Sequence, residues 1–369
     1  MPNNPVDNDS MESVLGQVGA RPSRVRRLIL RSNKIKSRYY AIDPETGAIT
    51  HNNAELTAAA IRGLGVQGCD LNKLELLVCG TSLPDQLLPN HALMVHGELK
   101  NPPCEVVGTA GICLAGTMSL KYGYMSILAG ESENAVATGS ENISSLLRGE
   151  NFSDEIETRI KQLEEQPVIA FEKDFLRWML SDGAGAVWMS NAPNPTGLSL
   201  RIDWIWQNSY ANELDPCMYA GAEKLADGSL KGWREYQTKA WLDDSLLAIK
   251  QDVKLLNEKI VEYTVTKPLK KLLNESKFVA DEIDWFLPHY SSGFFRDRVA
   301  AGLEEAGCSI PQEKWFTNLS SKGNTGSASI YIILEELFNS GRLRSGEKLL
   351  CFIPESGRFS TAFMHLTVV

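Results

Sequence analysis

The chain has 369 residues, of which 43% are hydrophobic and 22% charged, and this composition suits a globular protein of two domains or one large layered fold. Its formal net charge of −9 disfavours non-specific nucleic-acid binding as the main role. The sequence predicts no membrane span, because no apolar run is long and isolated enough to cross a bilayer.

The seven cysteines are scattered along the chain without a CxxC pair. This spacing argues against a zinc site or a disulfide framework, and it favours a reducing compartment. We therefore predict a cytoplasmic protein without a metal site.

Helices and strands alternate in the first half. Residues 53–64 and 91–99 are predicted helices, and 74–82, 105–109 and 134–139 are apolar enough to be buried strands. This order is typical of an α/β protein with a largely parallel sheet.

One cysteine stands where a strand gives way to a helix. From Cys113 to Leu128 only Lys121 is charged, which predicts a helix buried on nearly all sides. A cysteine at the start of that helix faces the positive end of the peptide dipole, which favours the thiolate. An ordinary buried cysteine is the commoner alternative.

Residues 143–180 interrupt the alternating pattern. Ile156, Ile160 and Leu163 recur at helical spacing among charged residues, which predicts an amphipathic helix. We interpret this excursion as a lid or a subunit contact.

The second half repeats the order of the first. A helix is predicted from Asp243 to Tyr263 with a break at Pro268, and residues 283–290 form a strand ending in a histidine. A glycine-rich loop then opens the apolar helix within 322–341, and two strands close the chain.

This recurrence predicts two related halves, residues 1–190 and 191–369, that share one core. The first half contains the cysteine and the excursion, and the second contains the histidine and the glycine-rich loop.

Three polar side chains follow the predicted strands at the edge where α/β sheets bind ligands: Cys113, His289 and Asn324. The combination suits acyl transfer, in which a thiolate attacks a thioester and a carbon nucleophile then displaces the acyl group. A neutral imidazole and an amide NH₂ can donate to the developing enolate oxygen.

Four motifs carry a family resemblance: TAGICLAGTMSL, DGAGA, IDWFLPH and KGNTGSAS. In this order they resemble β-ketoacyl-acyl carrier protein synthase III, the initiating condensing enzyme of the thiolase superfamily. The resemblance implies a five-layered αβαβα fold, a homodimer and a Cys113, His289 and Asn324 triad. It also implies an oxyanion hole built from the N–H groups of Cys113 and Gly357.

The resemblance further implies substrates held on the phosphopantetheine of coenzyme A or acyl carrier protein, with no bound cofactor. Arginine and lysine are dense between Arg21 and Arg38, a pattern that is most often only a solvated face. Under this resemblance, phosphate or carrier contacts are expected from Arg31, Lys36, Arg38, Arg296 and Arg298.

The chain departs from the family in several places. Tyr290-Ser291-Ser292 stands where members have Gln-Ala-Asn, and Glu355-Ser356-Gly357-Arg358 stands in a loop that is glycine-rich in members. Arg358 can narrow the acyl tunnel, hold a polar substrate group or face solvent. The opening residues resemble the segment after the family's first strand, so that strand is expected to be missing from this sequence.

These departures favour the ketosynthase-cyclase branch that makes dialkylresorcinol or cyclohexanedione precursors by joining two β-oxoacyl chains. Ring closure there needs a further proton acceptor, and Glu141 is the nearest candidate. The alternative for Glu141 is a carboxylate bonded to loop amides.

Three other functions stay open. The chain can be a decarboxylative synthase III that uses malonyl carrier protein in fatty-acid biosynthesis, or a non-catalytic partner of an active paralogue. A degradative thiolase is weaker, since it needs a second catalytic cysteine, and the late Cys351 lies in an apolar run that predicts core packing.

Overall fold

The computed structural model of the protein describes residues 1–17, 26–152, 176–243 and 245–369. In these ranges the chain forms two four-stranded mixed sheets and several small two-stranded ones. One small sheet pairs β1 (Val6–Asp7) with β2 (Ser37–Arg38) near the N-terminus.

The first large sheet confirms the strands predicted in the first half. Its strands are β3 (Leu76–Thr81), β4 (Glu105–Ala110), β5 (Asn134–Glu141) and β6 (Gly183–Ser190). Their order is β4-β3-β5-β6, with β6 antiparallel to the three parallel strands. The C-terminal ends of β3, β4 and β5 therefore lie at the same edge.

The second large sheet is built from the second half. Its strands are β7 (Leu200–Ser209), β12 (Trp285–Pro288), β13 (Lys348–Glu355) and β14 (Ser360–Val368), in the order β12-β13-β14-β7. Only β12 and β13 run parallel. Between β7 and β12 are the short strands β8 (Met218–Tyr219), β9 (Ala222–Lys224), β10 (Leu230–Gly232) and β11 (Lys250–Gln251).

The helices of the described ranges are numbered in chain order. They are α1 (Met11–Leu15), α2 (Arg26–Asn33), α3 (Asn53–Val66), α4 (His91–Leu99), α5 (Ala115–Ala129), α6 (Thr238–Asp243), α7 (Val253–Val261), α8 (Lys267–Asn274), α9 (Arg296–Glu305), α10 (Leu319–Lys322) and α11 (Ser329–Asn339). None of these helices is both long and apolar enough to cross a membrane.

The first sheet is buried on both faces. Along β3, Leu76 and Val78 pack in the cluster that contains α5 and α11, whereas Leu77 and Cys79 pack against α3 and α4. Alternation of side chains along a strand produces this two-sided burial.

The second sheet repeats the arrangement. Leu349, Cys351 and Ile353 of β13 face α5 and α11, whereas Leu350 and Phe352 face α7, α8 and α9. The described chain therefore forms five layers, helix–sheet–helix–sheet–helix, with α5 and α11 in the middle. Cys351 is part of that central core, as its apolar neighbours predicted.

The helix predicted from Asp243 to Tyr263 is wrong at both ends. It begins at Val253, because the side chain of Asp252 caps it by accepting from the Leu255 N–H at 3.0 Å. Upstream, Leu246 is buried for another reason, as it lies in the connection to β11.

Pro268 does not break this helical region. After α7 the chain continues through a π-helical turn, Glu262–Thr266, into α8. Pro268 lies in the first turn of α8, where proline is tolerated because an N–H is not required.

Part of the predicted excursion can be described. Two short 3₁₀ turns, Ser144–Leu147 and Gly149–Phe152, follow β5. The predicted amphipathic helix with Ile156, Ile160 and Leu163 lies outside the described residues.

Candidate active site

Cys113 lies in the turn between β4 and α5, at the C-terminal edge of the first sheet. The helix begins two residues later, at Ala115. The side chain is buried, with 9% of the residue exposed.

A carboxylate from the second sheet caps this turn. Glu355, the last residue of β13, accepts with Oε2 from the Ile112 N–H at 2.9 Å and from the Leu114 N–H at 3.2 Å. These amides flank Cys113, and their hydrogens are not satisfied inside the helix. Glu355 therefore joins the two halves of the chain at the cysteine.

The Cys113 thiol is protonated in the free protein. Burial raises its pKa well above the ordinary value, and the negative charges of Glu355 and Glu141 raise it further, while its own backbone N–H lowers it. Burial and the two carboxylates therefore act against the thiolate that the start of the helix was expected to favour, and the bias toward thiolate stays a prediction.

His289 immediately follows β12, as predicted. Its N–H donates to the Phe352 carbonyl at 2.8 Å, which extends the β12–β13 pairing to the histidine. Burial lowers the pKa of the imidazole to about 4, so the ring is neutral near pH 7. A neutral ring can donate a hydrogen bond without carrying a charge.

Asn324 is held at both backbone groups. Its N–H donates to the Met179 carbonyl at 3.0 Å, and its carbonyl accepts from the Ser181 N–H at 2.8 Å. Its side-chain Oδ1 accepts from the Gly326 N–H at 3.0 Å. The amide Nδ2 is left as the donor end of this buried side chain.

Two glycines allow the Asn324 loop to approach α5 and β5. A Cβ at Gly116 would lie 2.3 Å from the Ser327 carbonyl oxygen, and one at Gly139 would lie 2.2 Å from it. Any larger residue would push the loop away. Gly116 in CLAG and Gly139 in VATGS therefore set how closely the Asn324 loop approaches the helix after Cys113.

Cys113 and His289 line one pocket between the second sheet and the outer helices. Its volume is about 40 Å³, which is room for a few water molecules rather than a long acyl chain. The apolar wall is formed by Leu256, Ile260, Val265, Phe295, Val299 and Phe352. An acyl chain entering here must displace some of these side chains.

Glu141 is fixed at the ends of β3 and β5. Its Oε1 accepts from the Ser327 N–H at 3.0 Å, from the Ser82 N–H at 3.3 Å and from the Ser82 hydroxyl. Burial raises its pKa to about 7 against these hydrogen bonds. These contacts favour the alternative that the sequence left open, a carboxylate bonded to loop amides.

Gly357 lies beside the Cys113 turn. A Cβ there would be 2.9 Å from Ile112 Cδ1, and its carbonyl accepts from the Cys217 N–H at 2.8 Å. The oxyanion role of its own N–H stays a prediction.

Arg38 is a structural residue, contrary to the docking role expected for it. It is fully buried, and its Nε and Nη2 donate to the Trp178 carbonyl at 3.1 and 2.6 Å. Burial lowers its pKa to about 10. A guanidinium used in this way cannot reach a carrier protein.

The other predicted cations lie at or near the surface. Arg31 and Lys36 are exposed. Arg298 is exposed and lies over the Phe294 ring, 4.3 Å from its centroid. The half-buried Arg296 donates to Gln312 Oε1 at 2.8 Å.

Arg358 turns away from the pocket. It is exposed, and its Nε and Nη2 donate to the Leu214 carbonyl at 3.2 and 3.1 Å. Among the three options for this side chain, its position matches the solvent-facing one.

Sequence reasoning missed Glu355 and Ser356 as site residues. The Ser356 hydroxyl lines the pocket and donates to Gln251 Oε1 at 3.2 Å. A charged residue between two apolar strands was the available signal for Glu355, but its partners are more than 240 positions away.

Comparison with known sequences finds similarity to proteins described as synthase III. Residues 273–354 match the family described as 3-Oxoacyl-(acyl-carrier-protein) synthase III C terminal. The beta-ketoacyl-(acyl-carrier-protein) synthase III of Clostridium perfringens is 24% identical over 316 residues, which is 86% of this chain and 83% of that protein.

Solved structures show the same fold. AbyA1, a tetronic acid condensing enzyme, superposes with a TM-score of 0.73 at 18% identity and covers 100% of this chain and 97% of its own. OleA from Xanthomonas campestris gives 0.71 at 19% identity, covering 99% and 95%. The thiolase-like αβαβα prediction is confirmed.

Proposed function

We propose that this chain, a ketosynthase III-like condensing enzyme of the thiolase superfamily, joins two β-oxoacyl thioesters through an acyl group held on Cys113. The observation that carries the proposal is the pairing of Cys113 with a neutral, buried His289 in one apolar pocket. A nucleophile and a hydrogen-bond donor with this placement suit acyl transfer followed by enolate attack.

In the first step the Cys113 sulfur attacks the thioester carbonyl. The carbon–sulfur bond of the incoming thioester breaks, and the departing pantetheine sulfur takes the proton that Cys113 gives up. Because the thiol starts protonated, no thiolate accumulates in the free enzyme. An acyl chain that fills the pocket displaces the water that would hydrolyse the acyl-cysteine.

In the second step the enolate of another thioester attacks the acyl-cysteine. The neutral imidazole of His289 and the Nδ2 of Asn324 are the donors for the enolate oxygen. Glu141 and the Asn324 loop keep that amide against the start of α5.

The electrostatics of the pocket favour a neutral second substrate. Glu355 and Glu141 both act on Cys113 with negative charge. A malonyl thioester bound beside Cys113 would add a further negative charge near these two, and like charges at low dielectric repel strongly. A β-oxoacyl thioester carries no such charge. The same proposal includes that the enzyme closes a ring after it has formed the first carbon–carbon bond.

Carrier docking is proposed at the surface around α2. A Cβ at Gly293 would lie 2.8 Å from the Asn33 carbonyl, so the segment after His289 packs on the end of α2. Arg31, Lys36 and Arg298 are exposed and lie within five positions of Asn33 or Gly293 in the sequence. Their charge suits a phosphopantetheine phosphate, on coenzyme A or on an acidic carrier protein.

A homodimer is proposed through the free edge of the first sheet. Strand β4 is at that edge. Next to it, Tyr122, Met125 and Leu128 of α5 are exposed. An open strand edge beside apolar side chains is a common association surface.

A second candidate is the decarboxylative reaction of a synthase III, because the curated relative from Clostridium perfringens carries that name. The two are separated by offering the enzyme pairs of β-oxoacyl thioesters, or an acyl thioester with malonyl carrier protein. Mass spectrometry identifies the products, and CO₂ release is followed in parallel. We expect condensed products from the first pair; turnover only with malonyl, with CO₂ released, would establish the second candidate instead.

A further inference from the structure

Glu355 is a half-buried carboxylate beside the nucleophile that the proposed mechanism has not yet used. Along β13, Leu349, Cys351 and Ile353 point into the central layer, and Glu355 continues this row. Its side chain therefore approaches Cys113 from the side of α5.

The neighbours of Glu355 face the other way. Pro354 and Ser356 line the pocket that contains Cys113 and His289. The cysteine thus lies between a pocket wall and a carboxylate. Both faces of this loop therefore border the turn that carries Cys113.

Only one oxygen of the carboxylate is used by the turn. Oε2 accepts both amide hydrogens that flank Cys113, at 2.9 and 3.2 Å. Oε1 faces Gly357, since a Cβ at that glycine would lie 3.3 Å from it. The first oxygen fixes the group in place, and the second remains able to take a proton.

We propose that Glu355 is the general base that removes the α-proton of the second thioester. This inference rests on the proposed function, because it requires an acyl group on Cys113. It replaces decarboxylation as the source of the enolate, and it differs from the ring-closing role for which the sequence suggested Glu141.

The step balances without a further reactant. A Glu355 oxygen takes the proton, and the electrons of the carbon–hydrogen bond form the enolate. The enolate carbon then bonds to the acyl carbonyl carbon, and the carbon–sulfur bond to Cys113 breaks. The proton on Glu355 returns to the Cys113 sulfur, which regenerates both groups.

Burial supports this assignment. It raises the pKa of Glu355 above the ordinary value, against the two amide hydrogen bonds that lower it. A carboxylate with a raised pKa is a stronger base than an exposed glutamate. Glu141 is more deeply buried than Glu355, and its Oε1 accepts from Ser82 and Ser327.

The test uses Glu355→Gln, which keeps an oxygen for the two amides and loses the base. Glu131→Gln, at an exposed carboxylate after α5, is the matched control. Acylation of Cys113 is read by intact mass, and condensation is then followed in a single turnover with a second β-oxoacyl thioester. The rate is measured from pH 5 to 9.

We expect Glu355→Gln to be acylated like the wild type but to condense at least about 100-fold more slowly. Its rate should also lose the rise with pH that the wild type shows, and Glu355→Asp should recover part of the rate. Condensation at the wild-type rate, or an unchanged pH profile in acylated Glu355→Gln, overturns the role of Glu355 and leaves the proposed function standing. A parallel loss of acylation and thermal stability would also overturn it, since that is the result of a purely structural cap. If the wild type itself is never acylated, the proposed function fails and the inference with it.

Discussion

At the scale of single residues, the site is governed by burial more than by the helix dipole. Cys113, His289 and Glu141 are all nearly inaccessible, and each is shifted toward its neutral form. Burial disfavours charge on any group that lacks sufficient partners. The enzyme at rest therefore holds a thiol, a neutral imidazole and carboxylates whose pKa values burial has raised.

Cys113 should accordingly react slowly with alkylating agents. We expect its rate with iodoacetamide, read by peptide mapping, to keep rising beyond pH 9. Glu355→Gln removes a negative neighbour and should increase the rate at pH 8 several-fold, whereas Glu131→Gln should not. A rate that levels off below pH 8 would mean that the thiolate is already formed.

Glu141 should make stability depend on pH. Its pKa is about 7 in the folded chain and 4.5 as an ordinary value, so the folded state holds the proton more tightly. Its contribution is complete below pH 4.5 and is lost as the pH rises to about 7. Relative to wild type, Glu141→Gln should gain up to about 3 kcal/mol of unfolding free energy between pH 5 and pH 8. Urea unfolding at both pH values measures this, and a difference that does not change with pH would contradict it.

At the scale of elements, the distance between the Asn324 loop and α5 is the quantity that positions the donors. The loop carries Asn324 on a backbone tied to residues 179 and 181, and it rests on two glycines. None of these contacts is local in sequence. They make the site depend on the junction of the two halves.

Gly139→Ala tests this junction. The new Cβ would lie 2.2 Å from the Ser327 carbonyl oxygen, so the loop must shift. We expect a loss of about 1–3 kcal/mol in unfolding free energy and at least a tenfold lower condensation rate.

Gly97→Ala is the matched control, because a Cβ at Gly97 in α4 meets nothing within 4 Å. It should leave activity unchanged and stabilise the chain slightly, by about 1 kcal/mol or less. Equal effects of the two alanines would show that the junction does not position Asn324.

The sequence predicted the elements that have a strong local pattern. The parallel strands of the first sheet, the helix after Cys113 and the histidine after β12 all follow from apolar runs and their ends. The helix predicted from Asp243 failed because Leu246 is buried in a connection whose spacing happens to match a helix. The break predicted at Pro268 is also wrong, because a π-helical turn precedes the proline and lets the chain continue as a helix.

At the scale of the whole molecule, the C-terminal ends of β4 in the first sheet and of β12 and β13 in the second lie at one site. Cys113 comes from the first sheet, and His289 and Glu355 come from the second. Motif order alone could predict the first two. The contact of Glu355 with the Cys113 turn could not be predicted, because it depends on how the two sheets stack on α5 and α11.

Association is also a property of this scale. We expect the wild type to sediment as a dimer at micromolar concentration. Met125→Lys, which places a charge on the exposed face of α5 beside β4, should shift it toward monomer. Val66→Lys changes an exposed apolar residue on α3 and should have no effect. A monomeric wild type, or a dimeric Met125→Lys, would rule out this interface.

The most direct measurement of the central claim is the mass of the intact protein after incubation with a β-oxoacyl thioester. We predict a gain equal to one acyl group, located on the peptide that contains Cys113 and absent from Cys113→Ala. No gain with any acyl or β-oxoacyl thioester, or an equal gain in Cys113→Ala, would contradict catalysis through Cys113. The first of these results would instead support a non-catalytic partner with this fold.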